Sequence, residues 1–187
     1  MNIFHLDNDP RKAAEMMCDK HVVKMIVEYA QLLSTAHRVL DGEEYYDKTA
    51  NGRKIKRWRH PTLENYLYKA SHVNHPSNVW VRESRANYFW LYQHYLALCK
   101  EYTHRYGKFH ATDTKLSWTL LTIPKNAPDK ELTQFAQAMP DYCKNFKDPV
   151  EGYRKYYINE KVGFAKWTNR DVPSWFLTGV ADSRIMI

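Results

Sequence analysis

Between Asp19 and Leu40 runs a helix that is apolar over most of its surface, and this feature limits the folds open to the chain. At about 100° per residue, Val22, Val23, Met25, Ile26, Val27, Tyr29, Ala30, Leu32, Leu33, Ala36, Val39 and Leu40 cover most of the wheel. His21, Lys24, Glu28, Gln31, Thr35 and Arg38 share one stripe roughly 100° wide. A surface helix has the opposite proportions, so this one must be central. Its polar stripe then has two readings. It is an outward seam, with Lys24 and Arg38 reaching water and Glu28 paired to Lys24 four residues earlier. Or it lines a cleft and presents Glu28 on a rigid wall, between His21, Gln31 and Thr35.

The remaining elements also read as helices. The whole chain has only six glycines, few for a hairpin-built protein. Asp9-Pro10 opens a capped helix over Arg11 to Met17, and Asp41-Gly42 ends the central one. Residues 43 to 60 hold a turn signal, Asn51-Gly52, followed by a basic burst. Further helices are expected from Pro61 to Ser71, from His75-Pro76-Ser77 to Gly107, and from Thr112 to Thr122. A short one is expected near Glu131 to Ala138, and a Tyr-rich one from Pro149 to Asn159. The stretch from Pro124 to Pro149 carries four of the eight prolines and reads mostly as loop; the tail through Trp167, Pro173 and Trp175 reads as irregular. With 187 residues and no composition break, the expectation is a single all-α domain over 1–187, several helices around a central buried one with irregular loops.

Charge narrows the function classes. Lys plus Arg is 28 against 21 for Asp plus Glu, a net charge of +7. That balance favours polyanionic partners, nucleic acid first. No apolar run exceeds five residues, against the roughly 20 a membrane helix needs, and the first twenty residues lack a secretion signal. Membrane and secreted roles are not expected. Cys18, Cys99 and Cys143 form neither a disulfide framework nor a Cys-x-x-Cys pair, and fit a reducing cytoplasm.

Arg53, Lys54, Lys56, Arg57 and Arg59 place five cations within seven residues around Trp58 and are candidates for phosphate contact. Arg82 and Arg85 sit near the start of the helix after His75, where free N–H groups attract phosphate. Nine histidines raise the question of a metal. His72 and His75 are three apart, but Pro76 just after them argues against a shared helical face, and Glu101-Tyr-Thr-His104 is a single copy of a motif that di-iron bundles use twice. No metal centre and no cofactor is expected. Gly-rich phosphate loops and serine-nucleophile motifs are absent.

Asp19-Lys20-His21, with Glu28 seven residues after the histidine on a helix running into Leu32-Leu33-Ser34-Thr35-Ala36-His37-Arg38, resembles the phage-type pyrimidine-dimer DNA glycosylases with AP lyase activity. The region from His75 onward is similar to that family's second major helix. Tyr153-Arg154-Lys155-Tyr156-Tyr157 is similar to its aromatic and basic C-terminal cluster. The resemblance implies a small basic all-α domain acting on DNA, in the cytoplasm of a bacterial host if phage-encoded. It implies a reaction in which an α-amino group attacks the sugar C1′ of an extruded nucleotide, an imine forms, and a carboxylate moves protons. A free α-amine, with a pKa of about 7.7–8.0, is roughly a tenth neutral at pH 7, a few hundredfold more than a free lysine near 10.4. That explains the choice of a chain terminus.

Carried onto this chain, the resemblance implies Glu28 as the catalytic carboxylate, the Met1 amine as nucleophile, and His21 and Gln31 as orienting groups. Lys24, Arg53, Lys54, Lys56, Arg57, Arg59, Arg82, Arg85, Arg154 and Lys155 would contact the substrate. The family's small residue after Met is Asn2 here, and its arginines flanking the glutamate are Val27 and Gln31, so base contacts differ from the family pattern. DNA is the expected partner; the sequence carries no signal for an oligomeric state. The expected function is removal of a damaged or modified pyrimidine, with strand cleavage as a further step. The alternatives are a non-enzymatic nucleic-acid-binding protein and an enzyme on free nucleotides.

Overall fold

The computed structural model describes residues 1–185. Seven α-helices carry the described chain: α1 Pro10–Met16, α2 Asp19–Asp41, α3 Pro76–Glu83, α4 Arg85–Tyr106, α5 Ala111–Leu120, α6 Pro149–Glu160 and α7 Ser174–Ile185. Two strands, β1 Glu43–Lys48 and β2 Lys54–Arg59, pair antiparallel with Glu43 opposite Arg59 and Lys48 opposite Lys54. The fold is therefore mostly helical, compatible with the all-α expectation, with one small hairpin that the expectation did not contain.

The central element lies where the sequence places it. Helix α2 packs on α3, α4 and α5, and Val22, Ile26, Tyr29, Ala30, Leu32, Leu33 and Ala36 on it are fully buried. Helix α1 begins as its sequence dictates, with Asp9 Oδ1 accepting from the Arg11 and Lys12 amides and Pro10 at the first helical position.

Elsewhere side chains overrule local propensity. The helix expected over 61–71 is a series of turns. Buried Arg38 takes the carbonyls of Glu64, Leu67 and Tyr68 with its guanidinium, and Ser34 and Thr35 accept from the amides of Tyr68 and Ser71. Backbone groups that a helix would pair internally are thereby committed to α2. The long helix expected from His75 to Gly107 is broken at Ser84, which is extended (φ −156°, ψ 158°) and caps α4 by accepting from the Asn87 amide at 2.9 Å. Asn87 in turn donates to the Trp80 carbonyl and to Thr133.

The short helix expected at 131–138 is also irregular. Asn87 accepts from the Thr133 amide, Tyr153 Oη accepts from the Ala138 amide, and the Asn2 amide group donates to the Ala138 carbonyl. The tail after Pro173, read as irregular, is helix α7, which packs on α6.

The hairpin follows from Asn51-Gly52, with Gly52 in the left-handed region at φ 75°. It is mostly exposed on both faces and is held by cross-strand charge and ring contacts rather than by core burial. Gly42 admits it: a Cβ there would stand 2.8 Å from the Arg59 carbonyl oxygen, closer than any side chain tolerates.

Candidate active site at the amino terminus

The first five residues form an irregular strand-like segment that enters the core and turns at His5, where the Leu6 amide donates to the Phe4 carbonyl at 3.0 Å. Ile3, Phe4, His5 and Leu6 are all buried. Asn2 holds the entry point, donating to the Ala138 carbonyl at 2.8 Å, accepting from the Ile3 amide at 2.8 Å and lying 3.0 Å from Tyr153 Oη. The Phe4 amide donates to Tyr29 Oη on α2 at 3.1 Å. A terminus is ordinarily the most mobile part of a chain; this one is anchored by apolar burial and by hydrogen bonds to three distant segments.

Its consequence is positional. The Met1 amine nitrogen lies 3.6 Å from Glu28 Oε2, while Lys24 Nζ lies 3.1 Å from Glu28 Oε1. The Glu28 side chain is 14% exposed and that of Lys24 is 69% exposed, so one amine is held in place and the other swings from solvent. A carboxylate within one loose contact of an amine can take its proton, and an amine so relieved is a nucleophile.

Neither reading of the polar stripe holds over its whole length: Lys24 pairs with Glu28 as in the seam, but Arg38, expected to reach water, and Thr35, expected to line a cleft, are both buried. Lys24, Glu28 and Gln31 remain open, whereas Thr35 and Arg38 are buried under residues 60–71. Gln31 is half-buried, one turn beyond Glu28. His21 lies beneath the amino-terminal strand: Phe4 stacks on its ring at 4.2 Å, and its Nδ1 lies 2.5 Å from Tyr157 Oη. Burial above all, then Lys161 and Lys24, pushes its pKa down to about 3, so the ring is neutral at physiological pH. In this geometry it supports the strand that carries Met1.

Two groups escaped the sequence reading. His75 caps α3, accepting from the Ser77 amide, and its pKa is lowered by burial and then by the charge of the Met1 amine. His72, exposed beside it, holds φ 48° in the left-handed region, an uncommon conformation for a side-chain-bearing residue. The only sequence signal was the His-x-x-His spacing, weighed there as a metal pattern.

The cations divide into two sets. Arg82 donates to Asn78 Oδ1 and the Val73 carbonyl, and Arg154 to the Leu6 carbonyl and Glu151, so both brace the fold around the amino-terminal strand and the 71–75 loop. Lys56 pairs with Glu44 at 2.9 Å and Arg57 with Asp47 at 2.8 Å across the hairpin. Arg53, Lys54 and Arg59 on the hairpin, and Lys155 on α6, are exposed and make no ion pair among the described residues. Arg85 is half-buried at the start of α4, its amide donating to the Pro128 carbonyl. The hairpin joins α2 at Arg38, ten residues or roughly 15 Å along the helix from Glu28. No helix among the described residues is long and apolar enough to cross a membrane.

A sequence model of the family described as pyrimidine dimer DNA glycosylase matches residues 1–115. The match takes in Met1, His21, Glu28, Gln31 and the hairpin; Arg154 and Lys155 lie beyond it. Neither the curated proteins nor the solved structures contain a match to this chain.

Proposed function

The chain belongs to the pyrimidine dimer DNA glycosylase family, and from that premise we propose that it excises a damaged or modified pyrimidine from DNA using the Met1 α-amine as nucleophile and Glu28 as its proton acceptor. Glu28 Oε2 takes a proton from the Met1 amine, and the freed lone pair attacks C1′ of the extruded nucleotide. The C1′–N bond to the base breaks as the bond to the amine forms, and the base leaves with a proton. Opening of the sugar ring then gives an imine between Met1 and C1′. Removal of a C2′ proton expels the 3′ phosphate, which is the AP lyase step.

What supports this reading is the 3.6 Å approach of the Met1 amine to Glu28, maintained by a buried amino-terminal strand. His21 underlies that strand, and Gln31 and Lys24 face the sugar and base. Arg53, Lys54, Arg59 and Lys155 carry phosphates, with Lys56, Arg57 and Arg85 at the margin of that surface. A reducing cytoplasm suits three buried free thiols.

Borohydride reduction during reaction with DNA holding an abasic site tests the nucleophile. The expected result is a covalent protein–DNA adduct whose peptide contains Met1. An adduct mapped to a lysine, or base release with no adduct, overturns the assignment of Met1. Tight DNA binding with no product from any damaged pyrimidine overturns the enzymatic reading itself and selects the non-enzymatic binding protein.

A further inference from the structure

At the far end of α2, nine residues or roughly 13 Å beyond Glu28, His37 and Asp41 stand one turn apart, and the chain leaving β2 brings His60 against them. One ligand-capable atom from each of the three lies within 4.8 Å of the others. His37 is 2% exposed and His60 5% exposed. Buried polar atoms are nearly always hydrogen-bonded, yet His37 Nδ1 and His60 Nε2 have no partner.

The surrounding bonds orient the cluster. Tyr88 Oη donates to the Leu120 carbonyl at 2.9 Å, so it accepts from His37 Nε2 at 2.9 Å. The proton of His37 is therefore on Nε2, and Nδ1 keeps a bare lone pair. Asp41 accepts the Lys125 amide on one oxygen at 2.7 Å and the Asn126 amide on the other at 2.9 Å, leaving each oxygen a lone pair. Burial, aided by His60, pushes the His37 pKa down to about 4, and burial also lowers that of His60. Neutral imidazole is the form that ligates a metal.

We infer that His37 Nδ1, Asp41 and His60 Nε2 bind one divalent transition-metal cation. Two imidazoles and a carboxylate with a fourth position for water suit zinc. Zinc–nitrogen distances of about 2.0–2.1 Å require the three groups to close in around the ion. Such a cation ties the end of α2 to the base of the basic hairpin, a location separate from the Met1–Glu28 pair. The hydrogen bond that His37 Nε2 donates to Tyr88 Oη supplies the outer support that ligating histidines commonly have.

Loading carries a specific signature. His60 Nδ1 accepts from the amides of Thr62 at 3.3 Å and Leu63 at 3.0 Å, which leaves its proton on Nε2. A cation on Nε2 displaces that proton to Nδ1 or to solvent. Movement to Nδ1 deprives Thr62 and Leu63 of their acceptor and loosens the turn at 60–63.

Chelator-treated, untagged full-length protein titrated with zinc chloride by calorimetry, and with cobalt(II) followed by visible absorption, tests this. The expected result is one equivalent bound, weakened at least about tenfold by His37→Gln and by Asp41→Asn, since loss even of a hydrogen-bond partner to a ligand costs that much, and untouched by His104→Gln. Zinc should also shift the Thr62 and Leu63 amide resonances and speed their exchange. If His37→Gln fails to fold, Asp41→Asn together with the amide signature decides. No uptake at tens of micromolar zinc overturns the inference and leaves a bridging water in the cluster. Uptake insensitive to these substitutions, with Thr62 and Leu63 unmoved, assigns the metal to surface histidines and overturns it equally.

Discussion

Tyr153 Oη lies 3.0 Å from Asn2 Oδ1, so a residue of α6 holds the second residue of the chain in register with Glu28 on α2. Asn2→Ala removes this contact, the bond to the Ala138 carbonyl and the acceptor of the Ile3 amide. Each lost bond is worth about 1 kcal/mol, and a chain of this size loses about 2–4 °C in Tm per kcal/mol. The catalytic effect should be larger than the thermal one. An amine displaced by about 1 Å from its productive position loses on the order of 100-fold in rate. Single-turnover base release should fall by that order while DNA affinity changes less than about twofold. An unchanged rate would show that the Met1 amine needs no anchoring.

Glu28→Gln keeps the shape of the side chain and removes its ability to accept a proton. Loss of a positioned general base lowers rates by about 10²–10⁴-fold. Base release should fall in that range, and duplex affinity measured by fluorescence anisotropy should hold or improve, because a negative charge facing a polyanion has gone. Equal loss of binding and turnover would mean that Glu28 only braces the amino-terminal strand.

Periodicity made α2 legible, because apolar residues spread that widely around a helix admit no surface location. It also grouped Glu28 with Lys24 and Gln31, which the structure leaves unburied. The approach of Met1 to Glu28 was beyond local pattern, since it depends on Asn2 meeting Ala138 and Tyr153 from the opposite end of the chain. Asn51-Gly52 was readable as a turn, but its flanking strands were not: Glu43–Lys48 and Lys54–Arg59 carry charge on both faces and lack the alternation of a half-buried strand. Ser84 looked like one more helical residue because its cap is satisfied by Asn87, which is anchored to Thr133. The approach of His60 to His37 is likewise a product of the hairpin. Resemblance to the family supplied the chemistry, and tertiary contacts supplied the geometry.

The two sets of cations on the hairpin should separate in salt dependence. Each phosphate neutralised contributes a slope of about −0.9 in log affinity against log salt. Arg53→Ala, Lys54→Ala and Arg59→Ala should each flatten the slope by about that amount for every phosphate they engage. Lys56→Ala and Arg57→Ala should flatten it less, because Glu44 and Asp47 already occupy these side chains. Binding isotherms across a salt series read the difference directly. Five equal effects would show that DNA strips away the cross-strand pairs, and five null effects would move the phosphate surface elsewhere.

Acid should destabilise the fold through histidines before carboxylates. His5, His21, His37 and His94 are buried, and burial is the largest cause lowering each pKa: to about 3 for His21, to about 4 for His37 and His94, and well below the ordinary value for His5. In the unfolded chain such rings titrate near 6.5. Folded values below unfolded ones mean that stability is complete above about pH 6.5 and is lost as pH falls toward the folded values. At pH 5 the loss is about 2 kcal/mol per ring, from about 1.36 kcal/mol per pH unit. Glu101 follows at lower pH: burial opposes its charge, but hydrogen bonds from Arg170 and Arg105 outweigh burial and hold its pKa below the usual range. Its contribution disappears only below about pH 4.5, as pH falls through the lowered value. Unfolding between pH 5 and 6 should therefore take up several protons, measured from the slope of stability against pH. His5→Phe isolates one of them, because neither nitrogen of His5 has a partner to lose and Phe135 already stacks on its ring at 3.9 Å. Any packing penalty of the larger ring acts equally at all pH values. The variant should gain on the parent as pH drops from 8 to 5 and take up one proton fewer; parallel stability curves would mean that His5 titrates alike in the folded and unfolded states.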